Sequence, residues 1–88
     1  MINSVKIAKI YSKIGNFEQA KKLLNAVLRE EPSNIPAKLQ LGILYFSRNQ
    51  IDQAHHIWSE ILMDDPQNKE ARMYLNIANQ SEFSSLVK

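Results

Sequence analysis

The chain contains no cysteine, so disulfides, thiolate metal sites and cysteine nucleophiles are all excluded, and the composition fits a reducing compartment. A lipid anchor carried on cysteine is excluded with them. Glycine and proline are scarce, at two and three residues, while hydrophobic residues make up 44% and charged residues 23% of the 88 positions. That balance belongs to an ordered globular chain rather than to a linker or a disordered tail. Long apolar runs are missing too: the longest, Ile43 to Phe46, is far too short to span a bilayer. The N-terminus lacks the charged, apolar, small-residue order of a signal peptide. The expectation is a soluble, cytoplasmic protein.

The net charge of +2 falls short of the clustered basic excess of a non-specific nucleic-acid binder. Catalytic signatures are absent as well. There is no glycine-rich phosphate loop, no nucleophile elbow and no helical zinc motif of two histidines flanking a glutamate. The only histidines, His55 and His56, are adjacent and would point about 100° apart on a helix, which suits two surface positions better than one metal site. No enzyme, no cofactor and no metal are expected. At 88 residues the chain has room for one small core, so its function must fit a compact scaffold.

What the sequence does contain is an internal repeat. A shift of 34 residues superimposes Tyr11 on Tyr45, Gln19 on Gln53, Ala20 on Ala54, Leu28 on Leu62, Pro32 on Pro66 and Asn34 on Asn68. Conservative pairs fill the intervals, among them Ile7 with Leu41, Ala8 with Gly42, Ile10 with Leu44 and Phe17 with Ile51. Ala20, Leu23, Leu24, Val27 and Leu28, and likewise Ala54, Ile57, Trp58, Ile61 and Leu62, follow the i, i+3, i+4, i+7, i+8 spacing of an amphipathic helix. An earlier apolar helix precedes each, over roughly Ile2 to Ile14 and Ile35 to Arg48, across the turns Gly15-Asn16 and Asn49-Gln50. Asn16 and Gln50 stand where N-caps belong, asparagine being the better residue for the role. The acidic pairs Glu30-Glu31 and Asp64-Asp65 each precede a proline, which stops the helix. Carboxylates at helix C-termini oppose the macrodipole, and turn formation and solubility explain them more simply than a hydrolytic site.

This pattern resembles the tetratricopeptide repeat, whose unit places a small residue and an aromatic on its first helix, a small residue early on its second and a closing proline. Ala8, Tyr11, Gly15, Phe17, Ala20 and Pro32 match it in residues 1–34; Gly42, Tyr45, Ala54 and Pro66 match it in residues 35–68. Two departures are Ser4 and Lys38, where a large residue is usual; a third is Trp58 at a core position, whose truncation to alanine is expected to cost about 3–5 kcal/mol. Residues 69–88 begin a third first helix with Ala71, Met73 and Leu75, then fade at Asn76 and Asn79, as a capping helix does. Phe83, Leu86 and Val87 form an apolar tail. The expected fold is therefore all-α: a superhelix of two antiparallel helical hairpins closed by a fifth helix.

The resemblance implies a protein-binding scaffold whose first helices line a concave groove. Transferred residue by residue, that groove presents Val5, Lys6, Lys9 and Lys13, then Leu39, Gln40, Ile43 and Phe46, then Met73, Tyr74 and Ile77. Such a surface, apolar with one basic wall, suits an amphipathic helix or extended peptide with apolar anchors and some carboxylates. The opposing reading has Leu39, Ile43 and Met73 consumed by packing between first helices, leaving Phe46 and Tyr74, and has the three lysines as a solvated face. Some family members grip acidic C-termini through lysine and asparagine on successive first helices. Here those places hold Val5, Lys9, Gln40, Glu70 and Tyr74, which do not reproduce the clamp. Two other roles fit a helical repeat: self-association as a homodimer through groove or tail, and, further behind for want of a basic base-reading channel, RNA binding. Two repeats also suit a fragment of a longer array.

Overall fold

The computed structural model describes the backbone of residues 3–87 and the side chains of residues 3–80. Five helices follow in order: α1 (Ser4–Lys13), α2 (Phe17–Glu30), α3 (Ile35–Ser47), α4 (Ile51–Asp64) and α5 (Lys69–Val87). The side chains of Phe83, Leu86 and Val87, the expected apolar tail, lie outside the described residues.

The helix boundaries are written in asparagine. Asn3, Asn16, Asn34 and Asn68 each turn the side-chain oxygen back to accept a backbone N–H of the first turn, at 3.0 Å from Val5, 3.3 Å from Gln19, 2.9 Å from Ala37 and 2.8 Å from Ala71. Each bond satisfies one of the donors that a helix start leaves without an intrahelical partner. Gln50, expected to act in the same way for α4, occupies the N-cap position but makes no side-chain bond there. Its additional methylene sets the amide oxygen too far from the turn it would cap. A second difference from expectation is the start of α1: it begins at Ser4, one turn later in the repeat than α3, because Asn3 caps it where the second unit has the buried Ala37.

Within each hairpin the chain reverses through the same turn. Gly15 has φ +85° and Asn49, its counterpart 34 residues on, has φ +62°. Both follow the C-cap residue, the place where a left-handed residue lets the next amides bond back to the helix. Asn16 N–H reaches Tyr11 O and Gln50 N–H reaches Tyr45 O, each at 2.8 Å. Between hairpins, Glu31 and Asp65 accept from the side chains of Asn34 and Asn68 at 2.6 and 3.3 Å, so the second acid of each pair fastens the turn to the next cap. Asp64, the first acid of its pair, meets Lys38 at 3.6 Å.

α1 packs on α2 and α3 on α4; α3 also docks on α1 and α2, and α5 on α3 and α4. The result is a slab of 46 × 30 × 17 Å, two helices thick. Its interior falls into two clusters that follow the repeat. The first gathers Ala8, Ala20, Leu24, Ala37, Leu41 and Leu44; the second gathers Leu39, Ala54, Trp58, Ile61, Ala71, Leu75 and Ala78, with Tyr45 and Ile57 bordering both. Ala20, Ala37, Ala54 and Ala71 are fully buried, so alanine recurs where helices approach most closely. Gly42 makes room for a side chain of α4: a Cβ there would lie 2.5 Å from Cε2 and 2.7 Å from Cδ1 of Trp58.

Candidate functional site: the face of the first helices

α1, α3 and α5 lie side by side, with α2 and α4 behind them. Trp58 projects from α4 between α3 and α5 and is 1% exposed. Its indole N–H donates to Leu39 O at 3.4 Å, a carbonyl of α3. Tyr74 of α5 stacks on the indole at 5.0 Å between ring centroids, with 22° between planes, and Phe46 of α3 tilts against it at 6.0 Å. Aromatic pairs at such separations contribute about 0.5–1.5 kcal/mol beyond their buried area. Phe46 and Tyr74 thus both pack on the indole, and each is half-buried.

The remaining expected groove residues separate by depth. Leu39 is 7% exposed and belongs to the second core cluster, so its side chain is taken up by packing and is not offered to a ligand. Val5, Gln40 and Ile43 are half-buried, with Val5 against the first cluster and Ile43 against the second. Met73 and Ile77 are 50% and 42% exposed, so the opposing reading, in which Met73 is consumed between helices, does not hold for this residue: it stands on the open side of α5. There the two residues line a shallow hollow of about 350 Å³ with Lys69, Arg72, Asn76 and Gln80. Lys6, Lys9 and Lys13 are exposed along α1, and no acidic side chain pairs with them among the described residues. The face thus has an aromatic and aliphatic half on α3 and α5 and a basic half on α1.

Features that the sequence pattern did not disclose hold the two repeat units together. Arg48 lies over the Phe17 ring, 4.7 Å from its centroid, and Lys21 over the Tyr45 ring at 5.5 Å, so each pair joins α2 to α3 across the junction of the units. Neither pair is separated by a helical interval, and no local signal could have found it. His55 and His56 diverge as expected: His56 is 3.6 Å from Glu60, His55 Nδ1 is 3.5 Å from the Ser59 hydroxyl, and among the described residues no cluster of three or more His, Asp and Glu could hold a metal ion. No described helix is long and apolar enough to cross a membrane.

Stacked hairpins of one period, a continuous face of first helices and no assembled reactive groups among the described residues define a helical-repeat scaffold. Residues 11–76 match the family model of the tetratricopeptide repeat. The chain belongs to that family, whose repeats are non-catalytic scaffolds that in general mediate protein–protein interaction. No curated protein and no solved structure matches the chain significantly.

Proposed function

We propose that this protein is an interaction module that holds a partner segment against the face of α1, α3 and α5, with the apolar anchors of the ligand on Phe46, Met73, Tyr74 and Ile77 and its carboxylates toward Lys6, Lys9 and Lys13. The observation that carries this reading is the exposure of Met73 and Ile77, at 50% and 42%, on the helix whose Tyr74 stacks on the Trp58 indole. Large side chains left half open beside an aromatic stack supply anchoring area at little entropic cost. Methionine adds the adaptability of an unbranched thioether. An amphipathic helix with leucine anchors and glutamates on one flank complements both halves of the face.

Trp58 makes the test direct, because it is the only tryptophan of the chain and sits beneath the proposed groove. Synthetic amphipathic peptides of about 15 residues, long enough for four helical turns, are titrated against the protein while indole fluorescence is followed. A saturable change with glutamate-flanked peptides is expected, weakened about tenfold in a Met73→Ser/Ile77→Ser variant. Both residues are exposed, so the variant keeps its helicity. Equal affinity of the variant and the parent would refute the assignment.

A further inference from the structure

The repeat register exposes a second apolar surface, which shares with the groove only the lysine edge of α1. On α3, the residues Leu41 and Leu44 form a ridge that is 4% and 3% exposed because it is seated on α1 and α2. On α5, the same places hold Leu75 and Ala78, 9% and 0% exposed, seated on α3 and α4. On α1 they hold Ile7 and Ile10. Ile10 is 59% exposed and Ile14, one turn further, 70%. Ile7, Ile10 and Ile14 share one side of the helix by their spacing. The ridge that is covered twice within the chain therefore occurs a third time with Ile7 half-buried and Ile10 and Ile14 left open among the described residues.

We infer that this ridge of α1 docks a helical hairpin of a partner protein, one that presents a small-large-large aliphatic face and carries acidic residues along its edge. The aliphatic face follows from the two covers already in the chain: Ala20, Leu24 and Val27 of α2 receive α3, and Ala54, Trp58 and Ile61 of α4 receive α5. The acidic edge follows from charge. Exposed Lys6 and Lys13 flank the α1 ridge, where α3 has the neutral Gln40 and Ser47. Carboxylates opposite those lysines would favour this partner and speed its association.

A second copy of the chain fits less well. Its α2 and α4 already carry α3 and α5, and the open side of its α5 brings Lys69 and Arg72 against Lys6 and Lys13. Two α1 ridges face to face would set lysine against lysine.

The probe is a designed two-helix peptide carrying the Ala20-Leu24-Val27 face with glutamates along the edge, beside a twin carrying lysines there. Binding to the full chain is followed by methyl NMR of its isoleucines and methionines. Expected are saturable shifts at Ile7, Ile10 and Ile14 with the glutamate peptide, reduced by salt. An Ile10→Ala/Ile14→Ala variant, with helicity checked by circular dichroism, is expected to bind about tenfold more weakly. Shifts at Met73 and Ile77 instead, equal binding of the lysine twin, no saturable shift up to about 1 mM peptide, or self-association of the chain alone through these isoleucines would each overturn the inference. Because the groove test reads Trp58 and depends on Met73 and Ile77, the two surfaces succeed or fail separately.

Discussion

Gly42→Ala is a substitution whose sign depends on one other residue. In the interior of α3, alanine is favoured over glycine by about 0.8–1.0 kcal/mol in helix propensity. The new methyl would, however, overlap the Trp58 indole, whose Cε2 and Cδ1 lie 2.5 and 2.7 Å from the Cβ position. The ring is held by Tyr74 on one side, Phe46 on another and the Leu39 carbonyl at its nitrogen, so it has no room to withdraw. Overpacking of this kind costs typically about 1–3 kcal/mol, and a held ring belongs at the upper end. The expected net loss is about 1–2 kcal/mol, or roughly 4–16 °C in Tm for a domain of this size. In a Trp58→Leu background the overlap disappears, since the first unit already pairs Ala8 with Leu24 at these places. Gly42→Ala should then stabilise by about 0.5–1 kcal/mol, even though Trp58→Leu itself costs about 2 kcal/mol or more in lost packing. Urea unfolding of the four proteins, followed by circular dichroism because one background lacks the tryptophan, gives the coupling energy, expected near 1.5–3 kcal/mol. Gly42→Ala stabilising in both backgrounds would refute the placement of the indole against α3.

Two further predictions concern the turns and are read by the same urea unfolding. Gln50→Asn gives α4 the cap that Asn16 gives α2 and should stabilise by about 0.5–1 kcal/mol, whereas Gln50→Ala, which removes no bond, should be nearly neutral. A sizeable loss in Gln50→Ala would show a role for the side chain that the cap geometry lacks. Asn49, with φ +62°, should tolerate Gly with a gain of a few tenths of a kcal/mol and should lose about 1 kcal/mol on replacement by Ala. Equal stability of the Ala and Gly variants would argue against the left-handed turn.

The helices, their order and most of their limits were legible because the information is local. A 34-residue period, an asparagine ahead of a helix and a proline after an acidic pair each act over a few residues. The failure at Gln50 has the same local origin: the residue type is polar and the position correct, but one methylene decides whether the oxygen reaches an amide. Pairs fixed only by stacking stayed hidden. Arg48 on Phe17 and Lys21 on Tyr45 depend on how α3 settles on α2, which no periodicity reports. Lys38 was recognised only as a departure from the family pattern; its side chain is 13% exposed and turned toward Asp64.

The candidate groove was harder to read because equivalent repeat positions differ in exposure according to their place in the stack. Val5, Leu39 and Met73 share one register position, yet they are half-buried, buried and exposed in turn. Val5 is met by the next unit and Leu39 by both α4 and α5, while Met73 has no described unit packed beyond it. Ile10, Leu44 and Ala78 show the same gradient in the opposite direction, the exposed member lying on α1. Periodicity names the positions that face a neighbour, and the stack decides which neighbours exist. Divergence between the units then sets the chemistry of what is left open. Where the first unit has Ala8 with Leu24, the second has Gly42 with Trp58, and that exchange places an aromatic floor under α3 and α5 alone. Where the first, third and fifth helices of a uniform array would repeat one surface, this chain sets three lysines on α1 against neutral and apolar residues on α3. The contrast between a basic and an apolar half, on which selective binding rests, therefore arises at the places where the repeat departs from itself.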